Sequence, residues 1–363
     1  MHMPPDGTAD FLRGQRSVRD FTPEPVDDVT LNAIFDAARS APTAGGMHNY
    51  CVIVTRDPSR VEQYRKVHQG NFAAMSAPVL LTICVDQRRL ARWLPLQNGR
   101  AGDFSFWGFL MGAMDGAMFA QNVNLAVQSA GLAGSFVGSA VNYAAEVADF
   151  LQCPPGVIPL ITYVLGHPAG DPRGRTRLPA DILVHQEVYR DATDSELIEA
   201  FDAHASDMFA LYIKFPGLEA VADALGFNNG NMAEMWSKIG YVSEQVEAAA
   251  TWYLSTLQQQ GFLNDGALRH LDAFAAYRQS PFFADLTMFN RIAFTFMVNR
   301  GCFEGMDPAR AQGHFAAFTV FAAAEDPALD AALRSQDGYL LSADLADRLS
   351  AAVSLFEEGR VDG

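Results

Sequence analysis

Along the first part of the chain the period of the apolar positions keeps changing. Leu31, Ile34, Phe35 and Ala38 recur at i, i+3, i+4 and i+7, one stripe of an amphipathic helix. Asp27 or Asp28 caps its start, and Pro42 lies just past its end. Tyr50 to Val54 then reads as a short β run. Pro78 to Val85 is longer and continuously apolar, as expected of a strand covered on both faces. Pro159 to Leu165, stopped by Gly166, is a third such run. Between the last two, Met111 to Ala130 is apolar nearly all round, with Gln121, Asn122 and Asn124 as its main polar breaks. A helix without a polar face belongs at the centre of a fold or in a subunit interface.

After about Asp194 the strand pattern fades. The remainder predicts helices at roughly 195–212, 216–225, 231–260, 265–277, 283–299, 308–323 and 342–357. Asn228 to Gly230, Asn264 to Gly266 and Ser280-Pro281 read as joints. Trp236, Trp252, Phe282, Phe283, Phe289, Phe294 and Phe296 stand at helical spacing, the usual mark of core. The sharper alternative is a lid over a ligand, with the Asn228 to Asn231 loop and the Tyr212/Lys214 pair as contributors. The expected organisation is a mixed domain over 1–193 and an all-helical extension over 194–363, packed together because no flexible tether separates them.

Composition narrows the function. A formal net charge of -16 repels nucleic acids and anionic membranes, yet permits a local phosphate site where arginines converge. Cys51, Cys84, Cys153 and Cys302 have long irregular spacings, so they read as reduced thiols of a cytoplasmic protein. The first residues carry no apolar signal core, and no apolar run reaches spanning length. The histidines show no metal spacing, and neither H-E-x-x-H nor G-x-S-x-G occurs, so no metal is expected.

Four segments carry candidate chemistry. Arg16-Ser17-Val18-Arg19-Asp20-Phe21 sets two arginines on one face of a turn, where they can meet an anion. Ala38 to His48 leaves a helix through Pro42 into Thr43, Ala44, Gly45 and Gly46, whose backbone can approach a flat ligand. Ala133-Gly134-Ser135-Phe136-Val137-Gly138 is a weak glycine signal and not a dinucleotide fingerprint. Arg173, Arg175 and Arg177, after Gly166-His167-Pro168, form a candidate phosphate clamp. Each segment also reads as ordinary structure: surface arginines, a helix stop, a tight αβ turn, an exposed basic loop.

Together and in this order, R-S-x-R-x-F, A-R-S-A-P-T-A-G-G, the Asp115 to Asn122 helix leading to G-L-x-G-S, and G-x-P-x-G followed by R-x-R-L-P resemble the nitroreductase-like flavoprotein superfamily over residues 10–190. The resemblance implies an α+β fold with an antiparallel-rich sheet, a long central helix, and a homodimer with FMN at its interface. It assigns Arg16, Ser17 and Arg19 to the FMN phosphate, ribityl and ring edge, and Arg175 and Arg177 to the phosphate. It lays Thr43, Ala44, Gly45 and Gly46 along the isoalloxazine, from one subunit or the other, and brings Gly134 and Ser135 toward flavin N5. The implied activity is hydride transfer to or from a small organic or peptide-derived substrate, with NAD(P)H as a possible electron donor and a lean toward a specialised biosynthetic substrate.

The chain departs from the common pattern at Gly46 and His48, where many members carry Asn and Gln. Loop 41–48 resembles the branch that oxidises azoline rings in peptides, but Asp103-Phe104 stands where that branch has Lys-Tyr. His48 is a candidate acid or base over the flavin, or a loop-fixing hydrogen-bond partner. A flavin-cleaving enzyme, and a non-catalytic scaffold whose helical half binds a partner, are the alternatives to an FMN oxidoreductase.

Overall fold

The computed structural model describes residues 7–67, 76–99, 102–170, 174, 176–212, 233, 244–263, 277, 280–334 and 343–361. The chain forms two compact units, Met1–Phe262 and Leu263–Gly363. The division does not coincide with the 193/194 boundary expected from the sequence, because the two described helices between 194 and 262 belong to the sheet-containing unit.

In the first unit the order is α1 (Thr8–Arg13), α2 (Asp28–Ala38), a 3-10 turn at Ala44–Gly46, β1 (Tyr50–Thr55), α3 (Pro58–Val67), β2 (Val79–Asp86), α4 (Arg88–Leu96) and α5 (Phe106–Ser129). There follow β3 (Ala133–Val137), α6 (Ser139–Asn142), α7 (Ala144–Phe150), β4 (Val157–Gly166), α8 (Ala180–Leu183), α9 (Asp194–Tyr212) and α10 (Glu244–Gln259). The strands form one antiparallel sheet in the order β1-β2-β4-β3. Every residue of β2 is buried, as its uninterrupted apolar run predicts for a central strand.

Alternation divides the sheet's side chains between two cores. On one face Val79, Leu81 and Ile83 meet Leu31 and Ile34 of α2 and Phe119, Val123 and Val127 of α5. On the other, Leu80 and Val164 meet Val61 and Tyr64 of α3 and Val147 of α7. Tyr64 is fully buried there, and its hydroxyl lies 2.7 Å from Thr82 Oγ1 and 3.0 Å from Thr162 Oγ1. Each such apolar side chain contributes about 1.5–3 kcal/mol by leaving water. Local signals set the helix starts: Asp27, the first of the two expected caps, accepts from the Thr30 N–H, and Ser105 accepts from the Gly108 N–H.

The segment at Ala133–Val137, whose bland reading was a turn, is the edge strand β3. Its glycine answers to packing: a Cβ on Gly134 would lie 2.4 Å from the Tyr163 ring and 2.5 Å from the Val164 carbonyl oxygen.

The second unit contains α11 (Pro281–Asp285), α12 (Met288–Asn299), α13 (Pro308–Glu325), α14 (Pro327–Arg334) and α15 (Ala343–Val361). The single helix expected over 283–299 is two, because the Thr287 side chain accepts from the Asn290 N–H and starts a new one. The aromatic residues there are core, with Phe294 fully buried among Phe282, Phe283, Phe303 and Phe315. The predicted 216–225 helix, the Asn228 to Asn231 loop, Lys214, Trp236, Arg173 and Arg175 lie outside the described residues. Among the described residues no helix is long and apolar enough to cross a membrane, and no cluster of metal-ligating side chains occurs.

Candidate functional site

Helix α5 organises the candidate site from its two flanks. At about 100° per residue, Gly112, Gly116, Phe119, Val123 and Val127 fall on one side, the side packed on the sheet. Asp115 projects from one flank. Asn124, nine positions on, projects from the other, about 180° round the helix.

Asp115 is fully buried and holds the loop that follows α2. Its Oδ1 accepts the Ala44 N–H at 2.8 Å and its Oδ2 accepts the Asn49 N–H at 3.3 Å. From outside the loop, Arg89 donates to the His48 and Tyr50 carbonyl oxygens. The loop is therefore fixed at both its N–H and its C=O groups. Between these anchors Gly45 and Gly46 take φ of 56° and 70°, conformations that favour glycine, and a Cβ on Gly46 would meet nothing within 4 Å. His48, also at positive φ, is exposed, with its ring 6.3 Å from that of Tyr50. Thr43 is half-buried at the loop's start.

On the opposite flank a chain of amides holds the Arg16 segment. Asn124 and Gln128 both donate to Gln15 Oε1, at 2.9 and 2.6 Å, and Tyr163 donates to Asn124 Oδ1 at 2.9 Å. Burial pushes the Tyr163 phenol well above its ordinary value, which keeps it a neutral donor. Ser17 bridges Gly134, and the Val18 N–H donates to the Gly134 carbonyl at 2.9 Å, so the Arg16 to Arg19 stretch runs beside the edge strand. Arg16 gives Nη1 to the Arg13 and Gln15 carbonyls, both at 2.9 Å. The rest of its guanidinium lies against Gly174, where a Cβ would come within 3.0 Å. Arg16 thus meets the backbone of the arginine-rich segment expected to share its ligand. A cavity of about 460 Å³ opens beside Arg16, Gly131 and Pro168.

The expected residues therefore fall into two groups. Arg16, Ser17, Arg19 and Gly134 gather at β3, with the segment containing Arg177 alongside through Gly174. Thr43, Ala44, Gly45, Gly46 and His48 gather on the other flank of α5. Ser135 is buried within β3, so its side chain faces the interior. Sequence reasoning missed Asp115, Gln15, Arg89 and Tyr163. The signal for Asp115 was an acidic residue alone in an otherwise apolar helix. Phe104 packs against Phe262, and Cβ atoms on Gly156 or Gly261 would strike its ring, so this position is a packing plug.

A model of the nitroreductase family matches residues 12–167. The oxygen-insensitive NADPH nitroreductase of Salmonella typhimurium is 32% identical over 203 residues, covering 56% of this chain and 82% of that protein. The chain belongs to the nitroreductase family. The NADPH-flavin oxidoreductase of Vibrio harveyi is 28% identical over 197 residues, covering 54% of this chain and 80% of the relative. Among solved structures, the NADPH:FMN oxidoreductase of Vibrio harveyi complexed with NAD+ superposes with a TM-score of 0.55 at 26% identity, over 71% of this chain and 99% of that one. Nitroreductase A of Vibrio parahaemolyticus gives the same score and identity over 71% and 98%. The chain is accordingly an oxidoreductase of a family that works with FMN.

The two groups of residues fit that flavin in kind. The guanidinium of Arg16, with nitrogens beyond Nη1, suits a phosphate, and the open glycine loop leaves room for a flat ring.

Proposed function

We propose that this nitroreductase-family protein is a homodimeric FMN-dependent reductase that takes hydride from NADPH and passes it to a small organic or peptide-derived substrate. The observation that carries the reading is the placement of the two residue groups on opposite flanks of α5. Within one chain the body of α5 stands between them. The back of α5 carries Trp107, Leu110, Met114 and Met118, with Trp107 69% and Met114 50% exposed, an apolar stripe at helical spacing. A second copy covering that stripe brings the loop of one chain to the arginines of the other. The names of the relatives, NADPH nitroreductase and NADPH-flavin oxidoreductase, support the donor.

Bound FMN supplies two-electron chemistry at N5. The protein supplies position and charge. Arg16 and Arg177 hold the phosphate end, a role the sequence resemblance also gives Arg175. Ser17 and Arg19 line the ribityl and ring edge. Thr43 to Gly46 present backbone to the ring, and glycine at 45 and 46 lets it come close. Gly134 and Ser135 contribute backbone only on the N5 side. His48, exposed at the end of the fixed loop, holds or releases a proton toward substrate. The four cysteines are unpaired, which suits a cytoplasmic enzyme.

The test is the visible spectrum of the purified protein with FMN, followed anaerobically on adding NADPH, alongside sedimentation velocity. Flavin bands that bleach on a dimer are the expected result. A protein that takes up no FMN, or that carries it as a monomer, overturns the reading.

A further inference from the structure

A second cavity, of about 410 Å³, opens at α4, away from the residues assigned to FMN. Arg88, Arg89, Arg92 and Trp93 line it over a floor that includes Val157. In a chain of net charge -16, three arginines within five positions stand out. Their duties differ. Arg89 is engaged with the His48 and Tyr50 carbonyls and, at 3.4 Å, with Asp86. Arg88 gives Nη1 to the Pro155 carbonyl at 3.3 Å and keeps its other nitrogens. Arg92 is exposed and makes no hydrogen bond or ion pair among the described residues. Asp86, the acid of this wall, is turned to the Arg89 N–H and guanidinium and leaves the other two uncompensated.

Arg88 and Arg92 stand at i and i+4, on one face of α4. Two guanidiniums side by side suit a phosphate dianion. Trp93, 53% exposed at the same cavity, offers an indole face for a flat base. Arg89 ties this wall to the His48 loop, the element assigned above to the flavin ring.

We infer that the α4 cavity binds the 2′-phosphoadenosine end of NADPH, with Arg88 and Arg92 on the 2′-phosphate and Trp93 stacked on the adenine. The inference rests on the reading that a nicotinamide dinucleotide reduces the flavin. It makes this cavity the element that separates NADPH from NADH, since only the former carries the phosphate.

The holoenzyme is titrated with 2′,5′-ADP and with 5′-AMP while tryptophan fluorescence is followed, and flavin reduction is timed with NADPH and NADH. The expected result is quenching by 2′,5′-ADP, with affinity at least about tenfold above that for 5′-AMP. The Arg88→Ala/Arg92→Ala variant loses that preference, and its NADPH-to-NADH ratio of kcat/KM falls at least about tenfold. Trp93→Phe abolishes the quench. Equal affinity for the two nucleotides, or a preference that survives in the double variant, overturns the site. The two readings fail separately. A 2′,5′-ADP preference that depends on Arg88 and Arg92, in an enzyme that NADPH does not reduce, upholds the site and removes the donor. NADPH reduction indifferent to both arginines upholds the donor and removes the site.

Discussion

On one flank of α5 a buried carboxylate and a guanidinium grip the Thr43–Asn49 loop, while on the other a relay of neutral amides and a phenol grips the Arg16 segment. The first grip concentrates on Asp115. It satisfies the N–H groups of buried Asn49 and part-buried Ala44, so losing it leaves at least the first unpaired in the interior. The second is spread over Gln15, Asn124, Gln128 and Tyr163, and each of the three amides has more than one partner to share the load. A loop that must present glycines at positive φ is held by few, charged anchors, of which Asp115 is the buried one. A segment already paired to a strand edge needs only graded support.

The largest effect is expected at Asp115. Asp115→Ala should lower stability by about 3 kcal/mol, one to two unsatisfied N–H groups, and abolish FMN retention with it. Asp115→Asn keeps the shape and one acceptor oxygen, so it should fall about midway. Chemical denaturation and flavin content after dialysis measure both. If Asp115→Ala unfolds at the unaltered midpoint, the concentrated grip is wrong.

Arg16→Ala should act on the ligand more than on the fold. Losing one charge-assisted contact to a phosphate corresponds to about 1.5–3 kcal/mol, roughly a 10- to 150-fold weaker Kd for FMN. Its two hydrogen bonds to Arg13 and Gln15 carbonyls are local, so the thermal midpoint should move little. Flavin titration of the apoprotein reads the first quantity and calorimetry the second. Unaltered FMN affinity removes Arg16 from the phosphate site.

Within the relay, Gln15→Ala should be milder, about 1 kcal/mol. A double-mutant cycle with Gln128→Ala should give a coupling energy of about 0.5 kcal/mol or more, because both residues share one hydrogen bond. Strict additivity would show that the relay is a list of separate contacts.

How much of this was legible beforehand depends on the kind of signal. Helix α2 announced itself through the Leu31, Ile34, Phe35, Ala38 stripe and the Asp27 cap, and β2 through an apolar run that only a central strand sustains. Both are local patterns. Strand β3 was hidden because Ala133, Gly134 and Ser135 have weak strand propensity; its identity comes from pairing with β4 and from the space the Tyr163 ring takes above Gly134. Helix α3 escaped notice because it is mostly polar and buries only Val61 and Tyr64, and α4 because its Leu90, Trp93, Leu94 stripe is confined to nine residues, with Pro95 next to last, that bury none of their side chains. At the site, the arginines and glycines were visible as residue types. The anchors Asp115 and Arg89 were not, because each acts on backbone groups distant in sequence, and only the fold reveals which carbonyl or N–H stands before them. The loop's attachment to one flank and the arginines' to the other likewise follow from rotation about α5, which no motif records.

Tyr163 sharpens the comparison through pH. Burial raises its phenol pKa from the ordinary value of 10.0, so the folded protein holds this proton more tightly than the unfolded chain. Between about pH 10 and the raised value the unfolded state releases the proton and the folded state keeps it. The unfolded state then binds fewer protons, and stability falls as pH rises. Below pH 10 the contribution is fully present. Tyr163→Phe removes the titrating group, leaving Asn124 Oδ1 with Gln128 as its donor. Near neutrality the variant should be about 1 kcal/mol less stable. Above pH 10 its stability should decline less steeply than that of the unaltered protein, so the two denaturation curves converge as pH rises. Urea midpoints at pH 7, 9, 10 and 11 are enough to see the crossing of slopes. Parallel curves throughout would mean that the phenol is no more protected in the fold than in the open chain, and the relay would lose its most buried member.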